Sequence, residues 1–469
     1  MSSKYKYLLK NIGFLSISKF GSKFLIFFLI PLYTSVLSTE DYGSYDFIQT
    51  TVSLMIPIFT LKITEAVIRF SLDCKNSPKE VLSIGLSVFI KGLGLIITLL
   101  CLNSIFHINS LLEEYAVEFF LLYFSSVVYQ IMSNFSRGMD RVLVLSVAGL
   151  ILTAFTIGFN VLFLLLIKLG LQGYFCAIIL GYLIASAYIF VRLRAWRYID
   201  IIHINKKLKT EMIVYSSPLI VNSISWWINN AADRYTIIAI CGVAANGVYS
   251  IAAKIPTILD SFQTIFSDAW ILSAVKEYEK EDGGEFFSGV YGVYDAGLCI
   301  VCSLVILTTK ILARILYSKE FYNAWVYVPF LTIAVLFGAL SGFSGGIFAS
   351  YKDTKTSAKT TAIGAIINIV LNILLVKLFG PLGAASATMI SFFIVWVIRI
   401  LIIHNRVCIK LFKKKHVLSY TLLLFQSICI IKISDLSILY VIQIISLTIQ
   451  VVIYRDEVFR IIKYVRSRL

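Results

Sequence analysis

Between Pro218 and Lys254 the chain reads PLIVNSISWWINNAADRYTIIAICGVAANGVYSIAAK. Most of this stretch is apolar enough to lie in a bilayer, yet Asp233 and Arg234 sit inside the run and Lys254 inside the next one. A charge at membrane depth costs about 2.5–3.5 kcal/mol on insertion scales, so it is seldom left facing lipid. At about 100° per residue Asn222, Asn229 and Asp233 share one stripe of a helix, with Asn230 and Arg234 on its flank. Ser250, Lys254, Thr257, Ser261, Thr264 and Asp268 form a second stripe by the same arithmetic. Neighbouring helices with polar faces turn them toward each other or toward water. The stretch therefore predicts a charged, water-accessible cavity inside a membrane protein, with the rest of the chain as its walls.

Composition agrees. Only 14% of the 469 residues are charged and 59% are hydrophobic, against about 25% charged in soluble domains. A globular enzyme with a large soluble core is excluded, and the reading is an all-α polytopic integral membrane protein. The first apolar run has no small-residue cleavage site and leads into another span, so it does not read as a cleaved signal. About fourteen runs are long enough to cross a core ~30 Å thick. The thirteenth, Val417–Ile431, is short enough to lie in the interface, which sets the range at about 12–14 spans.

With both termini inside, most of the 42 Lys and Arg residues fall in loops on the inner side. Those assigned outside are Lys168, Lys310, Arg314, Lys319, Lys377 and Lys432. This asymmetry is the positive-inside signature. The net charge of +16 then reports orientation and contact with anionic lipid headgroups, not nucleic-acid binding. The eight cysteines are scattered. Cys299 and Cys302 are spaced CxxC inside a hydrophobic segment, with no second pair and no nearby His, and read as small buried hydrophobes.

The longest inside connection, Arg192–Glu211, carries six basic residues and marks the boundary between two groups of six spans. The expected domains are an N-terminal six-helix lobe (1–205), a C-terminal six-helix lobe (206–405), and two further helices with a basic cytoplasmic tail (406–469). Gly43-Ser44-Tyr45 after the first span matches Gly247-Val248-Tyr249 after the seventh, each read as an outside Gly-x-Tyr turn. Six being even, the lobes would be parallel pseudo-repeats around a central cavity.

Two regions carry a family resemblance. The run WWINNAADRY, then NGVYSIAAKIP and DAW at Asp268–Trp270, resembles the middle of the Wzx-type polysaccharide-unit (O-antigen) flippases. FLIPLYTSVLSTEDYGSYDF is similar to their first helical hairpin. The wider superfamily includes the lipid II flippases and the multidrug and toxin extruders. The resemblance implies a flippase that moves undecaprenyl-diphosphate-linked oligosaccharide repeat units from the cytoplasmic to the periplasmic face of the bacterial inner membrane. Such a protein serves O-antigen, lipopolysaccharide or capsule assembly. Its partners would be the lipid-linked oligosaccharide, membrane lipids, and a polysaccharide polymerase with its chain-length machinery.

The residues expected to bind substrate are Arg234, Lys254, Lys23, Lys91, Asp233 and Asn229. The family's cationic-cavity pattern carries over to Arg234 and Lys254, which sit in matching motifs; Lys19, Lys23 and Lys91 follow from depth. Asp233 and Arg234 are adjacent and about 100° apart, so each is expected to need its own partner. Lys254 beside Pro256 predicts a kinked helix at a buried cation. Lys62, Glu65 and Arg69 read as an ion-pair ladder, Trp226 and Trp227 as packing or sugar-stacking rings, and the glycine-rich Gly338–Phe348 as a hinge.

No GxxxxGK[ST] loop, HExxH motif or long outside loop is present, and the histidines at 107, 203, 404 and 416 lie in loops or at span edges. The expectation is a non-enzymatic transporter without a bound cofactor, driven by an H+ or Na+ gradient through alternating access. Two rivals share the evidence. A drug or organic-cation extruder should show unpaired intramembrane carboxylates and few cations. A polysaccharide polymerase or glycosyltransferase needs acid/base residues on a sizeable outside loop.

Overall fold

The computed structural model describes residues 27–73, 77–277, 283–350, 353–407 and 414–466. These are helical almost throughout and contain no strand. Among them nine helices are long and apolar enough to cross a membrane, or ten if one bent pair counts as a single span. The chain is an all-α polytopic membrane protein. It divides into two compact units, residues 1–227 and 228–469.

In the first unit, α1 (Ile30–Val36) leads through Ser38 into α2 (Thr39–Phe59). Ser38 Oγ accepts from the Asp41 backbone N–H at 3.0 Å, and Asp41 returns a bond to the Ser38 N–H at 3.1 Å. This capping box satisfies two N–H groups that the first turn leaves orphaned. Gly43–Tyr45 therefore lies within the helix, not in a turn, because the cap starts α2 four residues earlier. Gly247–Tyr249 lies likewise inside α9 (Val243–Ala252), whose turn is made by Gly242 at φ 90°. Tyr33, Tyr42 and Tyr45 close around Tyr174, with ring centroids 4.3–6.2 Å apart.

The second expected span is broken. α2 carries Pro57, runs past it, and ends at Thr60; α3 (Ile63–Ser71) leaves at 58°. Leu61 and Lys62 take left-handed backbone angles, φ 49° and 56°, a conformation that disfavours residues with a Cβ by about 1–2 kcal/mol each. Ser216 Oγ meets the Leu61 carbonyl at 2.7 Å and so satisfies a backbone group exposed by the break. Beyond it run α4 (Pro78–Phe106), α5 (Ala116–Gly138), α6 (Val142–Asn160, continued by a π-helical turn to Leu166) and α7 (Gly170–Arg192). Window residues of the α6 span are only 17% buried, as expected for a helix that is apolar all round and faces lipid.

α8 (Lys206–Cys241) is one 36-residue helix that passes unbroken through Pro218. At 1.5 Å per residue it is about 54 Å long, well beyond the hydrocarbon thickness. The line between the units falls inside it, after Trp227, and the expected boundary at 205/206 lies at its start. In the first unit the Trp227 indole donates to the Thr50 carbonyl at 3.0 Å, which fixes that ring against α2.

The second unit contains α9, α10 (Thr257–Glu277), α11 (Gly283–Leu316), α12 (Val328–Ser350), α13 (Thr354–Phe379), α14 (Pro381–Val407), α15 (Lys414–Lys432), α16 (Leu436–Ile453) and α17 (Arg455–Arg466). The core stacks Trp270 on Phe343 (4.0 Å) and Phe266 on Tyr294 (3.9 Å). The Trp270 indole also donates to the Phe343 carbonyl at 3.0 Å. α12 runs as one helix through the glycine-rich segment, and its glycines allow close packing there. A Cβ at Gly346 would come within 2.5 Å of Trp270 Nε1, whereas one at Gly94 meets nothing within 4 Å. Gly346→Ala should therefore destabilise the protein by about 1–3 kcal/mol and lower its unfolding temperature in lipid. Gly94→Ala should leave that temperature unchanged or slightly raised, and equal behaviour of the two variants would contradict this packing.

Candidate functional site

One face of α4 is polar at every fourth residue: Lys79, Ser83, Ser87 and Lys91, the spacing that aligns side chains along a helix. The connection into α8 docks on this stripe. Lys79 pairs with Asp200 at 2.9 Å, and Ser83 Oγ accepts from the Asp200 N–H at 2.8 Å. Farther along, the Lys209 ammonium donates to Ser87 Oγ at 3.3 Å. Lys209 precedes the apolar run of α8; burial, and then the neighbouring Lys91 ammonium, pushes it down from the ordinary lysine range. Two cations thus gather over one turn of α4, and among the described residues neither has a carboxylate within ion-pairing distance. Lys209 was not singled out in the sequence; the 79–83–87–91 spacing is the signal that finds its docking face.

Asp200 shows how the stripe is held. The Lys79 hydrogen bond, then the His203 N–H, lowers its carboxyl to about 2. A depressed carboxylate contributes stability that is present above its unfolded value near 4 and lost as pH falls through about 2. Asp200→Asn should lower the unfolding temperature at neutral pH, and the gap to the unmodified protein should close as the pH falls through that window. A gap that persists below it would contradict the pairing.

Lys62 lies in the break between α2 and α3, 3.7 Å from Glu65. Both are partly exposed, so the pair is a weak surface contact, and among the described residues no ion pair extends the ladder to Arg69.

In the second unit the residues around position 233 form a connected polar network. Tyr249 Oη donates to Asp233 Oδ2. Asp233 Oδ1 accepts from the Arg234 N–H at 3.0 Å and faces its guanidinium at 3.4 Å. The expectation that the two charges need separate partners is corrected. The long Arg234 side chain curls back along its own helix, donates to the Asn230 carbonyl at 2.8 Å, and thereby reaches its neighbour. Asp233 is 5% exposed. Nearby, Thr388 Oγ1 accepts from Asn368 Nδ2 at 3.3 Å, and Asn368 Oδ1 accepts from Asn372 Nδ2 at 2.9 Å. Asn229 is turned onto α13, with Nδ2 donating to the Thr361 carbonyl at 3.3 Å.

Lys254 does not lie within a continuous span. It sits, half-buried, in the break between α9 and α10, where Pro256 follows and the Lys254 carbonyl accepts from Thr257 Oγ1 at 2.5 Å. The expected kink is a full interruption: the Ala253 N–H still reaches the Tyr249 carbonyl, but the Lys254, Thr257 and Ile258 N–H groups bond only three residues back and Pro256 has none to give. Lys19 and Lys23 lie outside the described residues, as does the Asp268 side chain. Lys91 and Lys209 are thus brought together in the first unit, and Asp233, Arg234 and Asn229 stand close along α8 in the second. Asp295 and His416 form a further buried pair of titratable groups, with His416 2% exposed and not at a solvated edge.

The sequence matches the profile of the polysaccharide biosynthesis proteins over residues 8–271. The chain belongs to that family. A membrane protein of Methanocaldococcus jannaschii, itself uncharacterized, is 26% identical over 254 residues, 51% of this chain and 50% of that protein. The chain thus spans about half the length of the curated relative it matches. Among solved structures, the lipid II flippase MurJ in its inward closed conformation has a TM-score of 0.70 at 14% identity, covering 95% of this chain and 99% of that one. An inward-facing multidrug resistance MATE family transporter of the MOP superfamily has a TM-score of 0.65 at 14% identity, covering 83% and 98%. A MOP superfamily transporter from Pyrococcus furiosus has a TM-score of 0.56 at 14% identity, covering 84% and 96%. The family member has the fold of that superfamily.

Proposed function

We propose that this protein flips lipid-diphosphate-linked oligosaccharide repeat units from the cytoplasmic to the periplasmic face of a bacterial inner membrane, with both termini cytoplasmic. The observation that carries the reading is the pair of cations on α4 and α8, Lys91 and Lys209, gathered over Ser87 without a carboxylate partner. Cations held together at a helix face favour an anionic ligand, and for a chain of the polysaccharide biosynthesis family the diphosphate of a lipid-linked sugar is the anion this reading assigns to them.

Arg234 and Lys254 add positive charge in the second unit. Arg234 is steadied by Asp233 and by the Asn230 carbonyl, which holds its planar guanidinium in place. The break at Lys254 supplies backbone at which a helix bends as access alternates. A proton or sodium gradient supplies the driving force, with buried Asp233, bonded by Tyr249, as the acidic group that answers to a cation. O-antigen or capsular polymer is the product served, with the polymerase and chain-length machinery downstream.

The test is complementation of a strain lacking the gene by Lys91→Gln, Lys209→Gln, Arg234→Ala and Lys254→Ala, at matched membrane abundance. Surface polymer should fall at least about tenfold, the order of one lost charged contact, and lipid-linked units should accumulate on the inner face. Normal polymer in the deletion strain itself would sink the substrate assignment.

A further inference from the structure

The second unit buries a carboxylate and an imidazole together, far in sequence from the residues assigned above. Asp295, on α11, is fully buried. Its Oδ1 accepts from Tyr420 Oη at 2.8 Å and faces Cys299 Sγ at 3.6 Å; its Oδ2 accepts from Tyr454 Oη at 2.5 Å and lies 3.6 Å from His416 Nε2. Two phenols directed at the two oxygens give the buried carboxyl group its hydrogen-bond donors. A bare carboxylate in a helical bundle is costly, so the charge calls for a cation beside it. His416, 2% exposed, is that group.

The groups facing this pair can be named element by element. α11 contributes Tyr291 and Cys299; α15 contributes His416 and Tyr420, with Lys415 beside them. Tyr454, between α16 and α17, binds Asp295, and Glu457 on α17 pairs with Lys415. From α14 comes the Trp396 indole, donating to Tyr291 Oη at 3.1 Å; Arg399 on the same helix is spent on Ser341 and on Ser357, Thr360 and Thr361. Among the described residues the cluster holds the carboxylates of Asp295 and Glu457, the latter paired with Lys415, and His416 is its one imidazole, the side chain whose charge changes between about pH 5 and 8. The pair of partly exposed Lys415 and buried Glu457 lies next to His416 at the start of α15.

We propose that Asp295 and His416 form a proton-binding site whose occupied state clamps α15 to α11. With the additional proton on His416 Nε2, and Nδ1 also protonated, the pair is neutral overall and His416 is held by Asp295. When that proton passes to water the pair carries one negative charge, the carboxylate keeps only its phenol and thiol donors, and the clamp weakens. No other group changes protonation. The inference goes beyond the flippase reading and does not rest on it, since it concerns how the C-terminal helices are retained.

The chain has only four histidines, so the site can be read directly. Full-length protein with isotopically labelled histidine, in phosphatidylethanolamine–phosphatidylglycerol vesicles, is examined by solid-state NMR from about pH 5.5 to about pH 9, with His416→Gln assigning the signal. His416 should be charged at the acid end and neutral at the alkaline end, and in Asp295→Asn the change should move to lower pH. Unfolding temperature is the second readout: the unmodified protein should lose stability between about pH 6 and about pH 8.5 by several degrees more than Asp295→Asn, whose amide needs no counter-charge. A His416 signal that keeps one form throughout overturns the proposal. Equal pH responses of the unmodified protein and Asp295→Asn also overturn it, and this second comparison stands even if His416→Gln fails to fold. Polysaccharide export by the same variants reports separately on the flippase reading.

Discussion

A charge carried into a low-dielectric helical bundle has to be met by another group of the chain or kept where water or an anion reaches it. The arrangement of this protein follows from how each charge is met. Asp233 is met by Tyr249 and Arg234, Asp295 by two phenols and His416, and Arg399 by carbonyls and hydroxyls of α12 and α13. These contacts tie neighbouring helices together where apolar side chains alone, in lipid, provide little preference for one partner over another. The two lysines over Ser87 are the contrast. They are brought close together by the α4 stripe and given no acid, which makes them the part of the first unit most suited to an external anion.

The helix breaks obey the same constraint applied to backbone. Interrupting a span frees N–H and C=O groups that lipid cannot satisfy. At Thr60–Lys62 the chain recovers one through Ser216 and another through the Lys62 N–H, which reaches the Pro57 carbonyl at 3.2 Å. At Ala253–Pro256 the Thr257 hydroxyl takes the carbonyl of Lys254. Each break thus places a lysine at a point where the backbone is irregular and already supported, a setting in which a side chain can serve a ligand without unravelling the span.

Much of this was legible in the sequence. Apolar run length and the Lys/Arg asymmetry specify a polytopic helical protein, and the polar residues of the Pro218–Lys254 stretch mark the network around Asp233. What periodicity could not supply is how far a flexible side chain folds back: a fixed 100° separation suggested that Asp233 and Arg234 act apart, whereas Arg234 spans the gap by bonding to Asn230. The Gly-x-Tyr triplets follow apolar runs and so read as outside turns, but the Ser38 cap and Gly242 set the helix starts earlier. Asp295 and His416 escaped because they lie more than 100 residues apart, although a lone aspartate in an apolar run is itself a signal. Lys209 was counted only as one of the six basic residues of a loop.

The central claim is that the cationic faces move a lipid-borne anion across the bilayer. Its most direct test uses purified full-length protein in vesicles carrying a fluorescent prenyl-diphosphate oligosaccharide, quenched from outside by a membrane-impermeant reductant. Flipping predicts that the slow, protected half of the signal becomes accessible faster with the protein than without it, and that Lys91→Gln with Lys209→Gln removes the acceleration. Protected signal that decays at the protein-free rate, in vesicles where the same protein drives uptake of a cationic dye, would contradict the account and identify an extruder instead.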